Sequence, residues 1–159
     1  MYLIQVVGYK NSGKTTLINS WVDYLRSSGY QVATIKHHGH GGEPDQVKNT
    51  DSYQHMESGA ALSTVIGAQQ FVMTGLNEKL SLTQLLDIYN SLNIDVVIVE
   101  GYKNIPFPKV VLLDEGDETL LKRVKNVKAT CQPFDDKRNK ELIRQIEQDF
   151  ATFEWNTIK

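Results

Sequence analysis

Residues 8 to 15 read Gly-Tyr-Lys-Asn-Ser-Gly-Lys-Thr, a complete Gly-x-x-x-x-Gly-Lys-Ser/Thr pattern. The chemistry such a loop can do is binding of polyphosphate, whose charge needs many donors at close range. Gly8 and Gly13 let the backbone curl around a β-phosphate with no Cβ in the way. The amides of Asn11, Ser12, Gly13, Lys14, Thr15 and Thr16 then point inward, and the following helix adds the positive end of its dipole. Lys14 reaches the β and γ oxygens, and Thr15 offers a hydroxyl to Mg²⁺. The pattern calls for a phosphate-bearing ligand. It does not by itself call for hydrolysis.

A phosphate loop works with an acid near the Mg²⁺, often at the end of a buried strand. Glu100 closes the run Val96-Val97-Ile98-Val99. A carboxylate just past a parallel strand faces the crevice where open α/β sheets bind ligands, so Glu100 is the candidate metal or water contact. Asp95 starts the same strand, at the wrong end. Asp51 is a second carboxylate candidate, with a plain helix cap as its alternative. His37, His38 and His40 cluster with Asp45, and His-rich spacing raises zinc. No cysteine lies nearby, and glycine-rich chain does not preform a tetrahedral site. Lys36 and the histidines follow a strand on the ligand side of the sheet, where they can meet phosphate, substrate or a second subunit.

The elements that must position these residues follow from hydropathy. Residues 2–7 and 32–35 read as buried strands. Between them 14–28 reads as a helix with Leu17, Ile18, Trp21, Val22 and Leu25 on one face and Gly29 closing it. Residues 36–50 have no period and read as a long loop. Asp51 or Ser52 caps a short helix over 53–58, and 63–66 with 70–73 form a hairpin added antiparallel to the sheet. A helix over 80–89, with Ser81 as its cap, leads to the strongest strand, 95–99. A strand over 110–113, a short helix over 118–123, a strand over 124–129 and a helix over 137–149 complete the chain. The expected fold is α/β, P-loop NTPase-like and three-layered, with a mostly parallel central sheet and an antiparallel hairpin addition. Nothing marks a domain boundary, so residues 1–159 are read as one nucleotide-binding domain.

Composition narrows the rest. With 159 residues, 40% apolar and 23% charged, the chain is long and apolar enough to fold without staples. Lys plus Arg total 17 against 19 Asp plus Glu, so no basic surplus argues for nucleic acid. The single cysteine, Cys131, excludes an intrachain disulfide and a four-cysteine metal site. Apolar runs are too short to span a bilayer, and the first residues are strand-like rather than a secretory signal. A cytoplasmic protein is expected.

Four segments carry a resemblance when taken in order: Gly8-Tyr-Lys-Asn-Ser-Gly-Lys-Thr-Thr-Leu17, Ile35-Lys-His-His38, Asp51-Ser-Tyr-Gln-His-Met-Glu-Ser-Gly-Ala60 and Val99-Glu-Gly-Tyr-Lys103. The chain resembles, over most of its length, the molybdopterin-guanine dinucleotide biosynthesis protein B (MobB) family, the adapters of molybdenum cofactor synthesis. The resemblance implies GTP bound with Mg²⁺, weak intrinsic GTPase activity, a homodimer, and assistance to the MobA nucleotidyltransferase. Carried over by position, Asn11 through Thr16 hold phosphates, Lys36 and His37 line the adjoining cleft, and Asp51 and Glu100 sit on the metal or water side. It also implies guanine preference, with a base pocket near residues 130–136. Lys14 would neutralise transition-state charge and Glu100 would position the attacking water. Two other readings stand beside this one. One is a non-catalytic nucleotide-binding scaffold. The other is a small-molecule kinase, which Arg26, Arg123, Arg138 and Arg144 serve poorly because they are scattered rather than gathered in a lid.

Overall fold

The computed structural model describes residues 1–39, 43–114, 118–133 and 135–158. His40, Gly41 and Gly42 of the histidine loop lie outside the described residues. In chain order the elements are β1 (Tyr2–Val7), α1 (Lys14–Ser27), β2 (Val32–Lys36), α2 (Asp51–Glu57), β3 (Leu62–Ile66), β4 (Phe71–Gly75), α3 (Leu82–Ser91), β5 (Val96–Glu100), β6 (Lys109–Leu112), β7 (Val127–Cys131), α4 (Asp136–Gln148) and α5 (Trp155–Ile158). The chain divides into two compact units, Met1–His40 with Tyr89–Lys159, and Gly41–Ile88.

The first unit is built on a five-stranded sheet in the order β2-β5-β1-β6-β7. Every neighbouring pair in it is parallel. The near-continuous apolar runs of β1 and β5 fit their central places, where both faces are covered. One face is closed by the apolar stripe of α1. Leu17, Ile18, Trp21 and Leu25 pack on Ile4, Val6, Val96, Ile98, Val110 and Leu112, joined by Ile143 and Ile146 of α4. Each fully buried Leu or Ile contributes about 1.5–3 kcal/mol relative to exposure. Trp21 keeps its indole N–H satisfied by donating to the Asn139 carbonyl at 3.0 Å. On the opposite face Val7 and Val111 pack with Leu120 and Val124. This is the P-loop NTPase-like α/β architecture expected from the strand–loop–helix opening.

Local expectations change: the strand expected over 124–129 is β7, Val127–Cys131. The helix expected over 118–123 is a pair of turns, closed by Leu121 N donating to Glu118 O and Arg123 N to Leu120 O. The segment following α4 adds a 3-10 turn, Phe150–Phe153, whose Phe150 and Phe153 finish the core beside Ile143.

In the second unit α2 starts at Asp51, two residues before the expected position. Its cap is Thr50, whose side chain accepts from Tyr53 N at 3.3 Å. Asp51 instead occupies the first turn, where a carboxylate suits the helix dipole. At the head of α3, Ser81 and Gln84 form a reciprocal capping box, Gln84 N donating to Ser81 Oγ and Ser81 N to Gln84 Oε1. The hairpin is present, with Ile66 opposite Phe71 and Leu62 opposite Gly75. It forms a two-stranded sheet of its own.

Candidate functional site

β1 delivers the chain into the loop at its carboxyl end. Asn11 (φ 61°) and Gly13 (φ 80°) take the left-handed conformation, which glycine adopts freely and asparagine tolerates. Gly13 then caps α1, and Leu17 N donates to its carbonyl at 3.0 Å. Gly8 is required by space: a Cβ there would lie 2.6 Å from Ser12 Oγ and 3.1 Å from Leu112 Cβ. Ser12 Oγ is buried with no hydrogen-bond partner. That leaves a spare donor inside a loop too narrow for any side chain at residue 8. Thr15 and Thr16 are exposed in the first turn of α1.

The Tyr9 carbonyl gathers the loop's donors. Ser12 N donates to it at 3.3 Å, and the Lys14 ammonium donates to it as well. Burial lowers the Lys14 pKa; the Glu100 carboxylate opposes that, and the charges of Lys103 and Lys36 add to it. Four charged groups therefore share one electrostatic neighbourhood.

Glu100 ends β5 in register with Val6 of β1 and with Lys36 of β2. Its carboxylate lies 3.8 Å from the Lys36 ammonium. His37 N donates to the Glu100 carbonyl at 2.9 Å, and the His37 ring rests on Tyr102 at 4.2 Å between centroids. Gly101 (φ 95°) makes this approach possible, since a Cβ would sit 3.2 Å from His37 Cβ.

The segment after β5 is held from beneath by two buried polar side chains that sequence reasoning missed. Gln5 Nε2 donates to the carbonyls of Gly101 (2.6 Å) and Tyr102 (2.7 Å), and Lys109 Nζ donates to that of Ile105 (2.7 Å). Gln5 and Lys109 are partners in register on β1 and β6, so they share a face of the sheet. Burial pulls the Lys109 ammonium down to about 8. The available signal was a glutamine inside the apolar run of β1 and a lysine heading that of β6. Tyr9 was missed too: its ring carries the Lys103 ammonium at 5.4 Å, and its hydroxyl meets Thr119 Oγ1 at 2.8 Å.

Gly8, Asn11, Ser12, Gly13, Lys14, Thr15, Thr16, Lys36, His37 and Glu100 thus belong to one unit, at or just past the carboxyl ends of β1, β2 and β5. Asp51 belongs to the other unit. For Mg²⁺, the Thr15 hydroxyl and the Glu100 carboxylate are the hard oxygen donors this ion prefers, usually beside waters and phosphate oxygens. The partnerless Ser12 hydroxyl in a cradle without a Cβ fits phosphate beside it. Among the described residues no three His, Cys, Asp or Glu side chains gather to hold a metal, and His40 lies outside them. In the segment expected near the base, burial pushes the Cys131 thiol up to about 12 and so keeps it inert. Asp135 caps α4, its Oδ1 accepting from Arg138 N at 3.0 Å. Residue 134 lies outside the described residues.

A family model described as Molybdopterin guanine dinucleotide synthesis protein B matches residues 3–132. The chain is 39% identical over 119 residues to the "probable molybdopterin-guanine dinucleotide biosynthesis adapter protein" of Bacillus subtilis, covering 73% of this chain and 67% of that protein. For relatives from Methanocaldococcus jannaschii and Haemophilus influenzae the matched stretch spans 49% and 62% of their lengths, less than two thirds of each. Among solved structures, Bacillus subtilis MobB is similar with a TM-score of 0.73 at 30% identity, over 91% of this chain and 98% of that one. A MobB homologue from Bacillus stearothermophilus follows at 0.71 and 30% identity, over 96% and 99%.

Proposed function

The chain belongs to the molybdopterin guanine dinucleotide synthesis protein B family, and from that premise we propose that it is a GTP-binding adapter in molybdopterin guanine dinucleotide biosynthesis. The observation that carries the reading is the loop from Gly8 to Thr15. It joins a residue-8 position with no room for a side chain, two left-handed residues and a lysine heading a helix. In this reading the loop amides and the Ser12 hydroxyl take phosphate oxygens. Lys14 leaves the Tyr9 carbonyl for the β and γ oxygens. Thr15 and Glu100 would hold Mg²⁺, which would supply neutralising charge to the phosphates. Lys36 and His37 line the cleft beside them.

Hydrolysis is slow in this account. The cations that face Lys14 are the lysines 36 and 103, whereas fast phosphoryl transfer in such folds relies on an arginine finger. Glu100 orients the attacking water, and Lys14 neutralises charge as it grows on the γ-phosphoryl group. The protein acts in the cytoplasm, as a homodimer, and delivers nucleotide or scaffolding to the MobA nucleotidyltransferase. The apolar side chains exposed on the β3–β4 hairpin support the dimer. Among the described residues no helix is long and apolar enough to cross a membrane.

Calorimetric titration with GTP and Mg²⁺, alongside phosphate-release assays, tests the reading. Binding is expected, with turnover far under about 10 per second, the rate of a partner-activated GTPase. Lys14→Ala should weaken binding about ten- to hundred-fold, the worth of a charge-assisted contact to phosphate. A folded protein that binds neither GTP nor ATP at millimolar concentration refutes the proposal. Binding with no turnover at all leaves a pure scaffold.

A further inference from the structure

Two lysines rest on one residue of the loop. Lys14 donates to the main-chain oxygen of Tyr9, and Lys103 lies over the face of its ring, 5.4 Å from the centroid. The ring is braced by its hydroxyl, which is bonded to Thr119 Oγ1 at 2.8 Å. The backbone bearing Lys103 is braced as well. Gln5 grips the carbonyls of residues 101 and 102, and Lys109 grips that of residue 105. Lys103 therefore projects from a short span fixed at both ends, while its side chain is exposed.

The charge balance here is uneven. Among the described residues, the charges that act on the Lys14 ammonium are those of Lys36, Lys103 and the Glu100 carboxylate, and Lys36 pairs with that carboxylate. An exposed cation resting on the face of a ring is weakly held compared with one bonded to a phosphate oxygen. Resting on the nucleotide-binding reading above, we propose that Lys103 distinguishes a nucleoside triphosphate from a diphosphate at this loop: it waits on the Tyr9 ring and crosses to the terminal phosphate when one is present. A diphosphate ends short of that reach and leaves Lys103 where it is.

The test is calorimetric titration of the full chain and of Lys103→Ala and Lys103→Arg with GTP and with GDP, each with Mg²⁺. The unsubstituted protein should prefer GTP. Lys103→Ala should lose about ten-fold in GTP affinity, the worth of one charge-assisted bond, and change less than about two-fold toward GDP. Lys103→Arg should keep most of the preference. A purely structural role for Lys103 would weaken both nucleotides alike, and that result overturns the proposal. So does an unsubstituted protein without preference, an unchanged preference in Lys103→Ala, or an arginine variant that behaves as the alanine one. If the unsubstituted protein binds neither nucleotide, the nucleotide reading itself falls and this proposal falls with it.

Discussion

The Lys36 ammonium and the Glu100 carboxylate lie 3.8 Å apart on neighbouring parallel strands in direct register. The lysine is 58% exposed and the glutamate 14%, so water screens one partner and the pair contributes little to folding. Lys36→Ala should change unfolding free energy by less than about 1 kcal/mol. The carboxylate's value lies elsewhere. Glu100→Gln keeps the shape and removes the charge that would hold Mg²⁺ or a water. It should abolish most of the gain in GTP affinity that Mg²⁺ confers, while affinity in a chelator holds or rises, because a charge of the same sign as the phosphates is gone. Titrations with and without Mg²⁺ check this, and an undiminished Mg²⁺ effect in Glu100→Gln would remove Glu100 from the site.

Gly8→Ala tests the tightness of the cradle. The new methyl would meet Ser12 Oγ at 2.6 Å and Leu112 Cβ at 3.1 Å. Ser12 is buried, so the loop itself must shift, at a cost of about 1–3 kcal/mol for overpacking. Urea unfolding should register that loss, and GTP binding should fall with it. Adding Ser12→Ala removes the closer of the two contacts and should recover part of the stability. No loss of stability in Gly8→Ala would mean the loop is looser than these distances imply.

What the sequence made readable was local and periodic. The loop announced itself because four residue types recur at fixed spacing, and β1, α1 and β5 because their hydropathy matches strand or helix period. Glu100 was readable from its place after a buried run. The braces were not. Gln5 and Lys109 act on carbonyls about 100 and 4 residues away, and the first pairing exists only once β1 lies beside β5. The stacking of Lys103 on Tyr9 is likewise a product of the sheet order, which spacing along the chain does not contain. The helix expected over 118–123 failed for a different reason: a short amphipathic pattern is shared by helices and by successive turns.

Lys109 gives the stability a pH signature. Burial pulls its ammonium down to about 8, against about 10.4 in an unfolded chain. Between these values the unfolded chain still holds the proton that the folded chain has released, so stability rises with pH through that window. Below about 8 both states are charged, and the folded one bears a buried ammonium. The full rise is on the order of 3 kcal/mol. Lys109→Met fills the same space without charge. It should be more stable than the unsubstituted protein at pH 7, and the difference between the two should shrink as pH approaches 10. Urea unfolding at pH 7, 8, 9 and 10 measures it, and parallel pH profiles for the two proteins would rule the effect out.

The hairpin supplies the prediction about assembly. An isolated two-stranded sheet is marginal in water, yet β3 and β4 expose apolar side chains on both faces. Ile66 (82% exposed) stands opposite Phe71 (65%) on one face, and Val65 opposite Val72 on the other. A patch of this kind is a cost to a free monomer and a contribution to an interface. If a second copy covers it, a charge at its most exposed point must be buried without a partner on assembly. Ile66→Asp, alone or with Phe71→Asp, should then shift the protein from a dimer of the 18.0 kDa chain to a monomer at micromolar concentration. Sedimentation velocity reads the change directly. The GTP affinity of the monomeric variant should match that of the parent, because the phosphate loop belongs to the other unit of the chain. A parent that sediments as a monomer, or a variant that remains dimeric, would mean that the hairpin is not the surface that joins two copies.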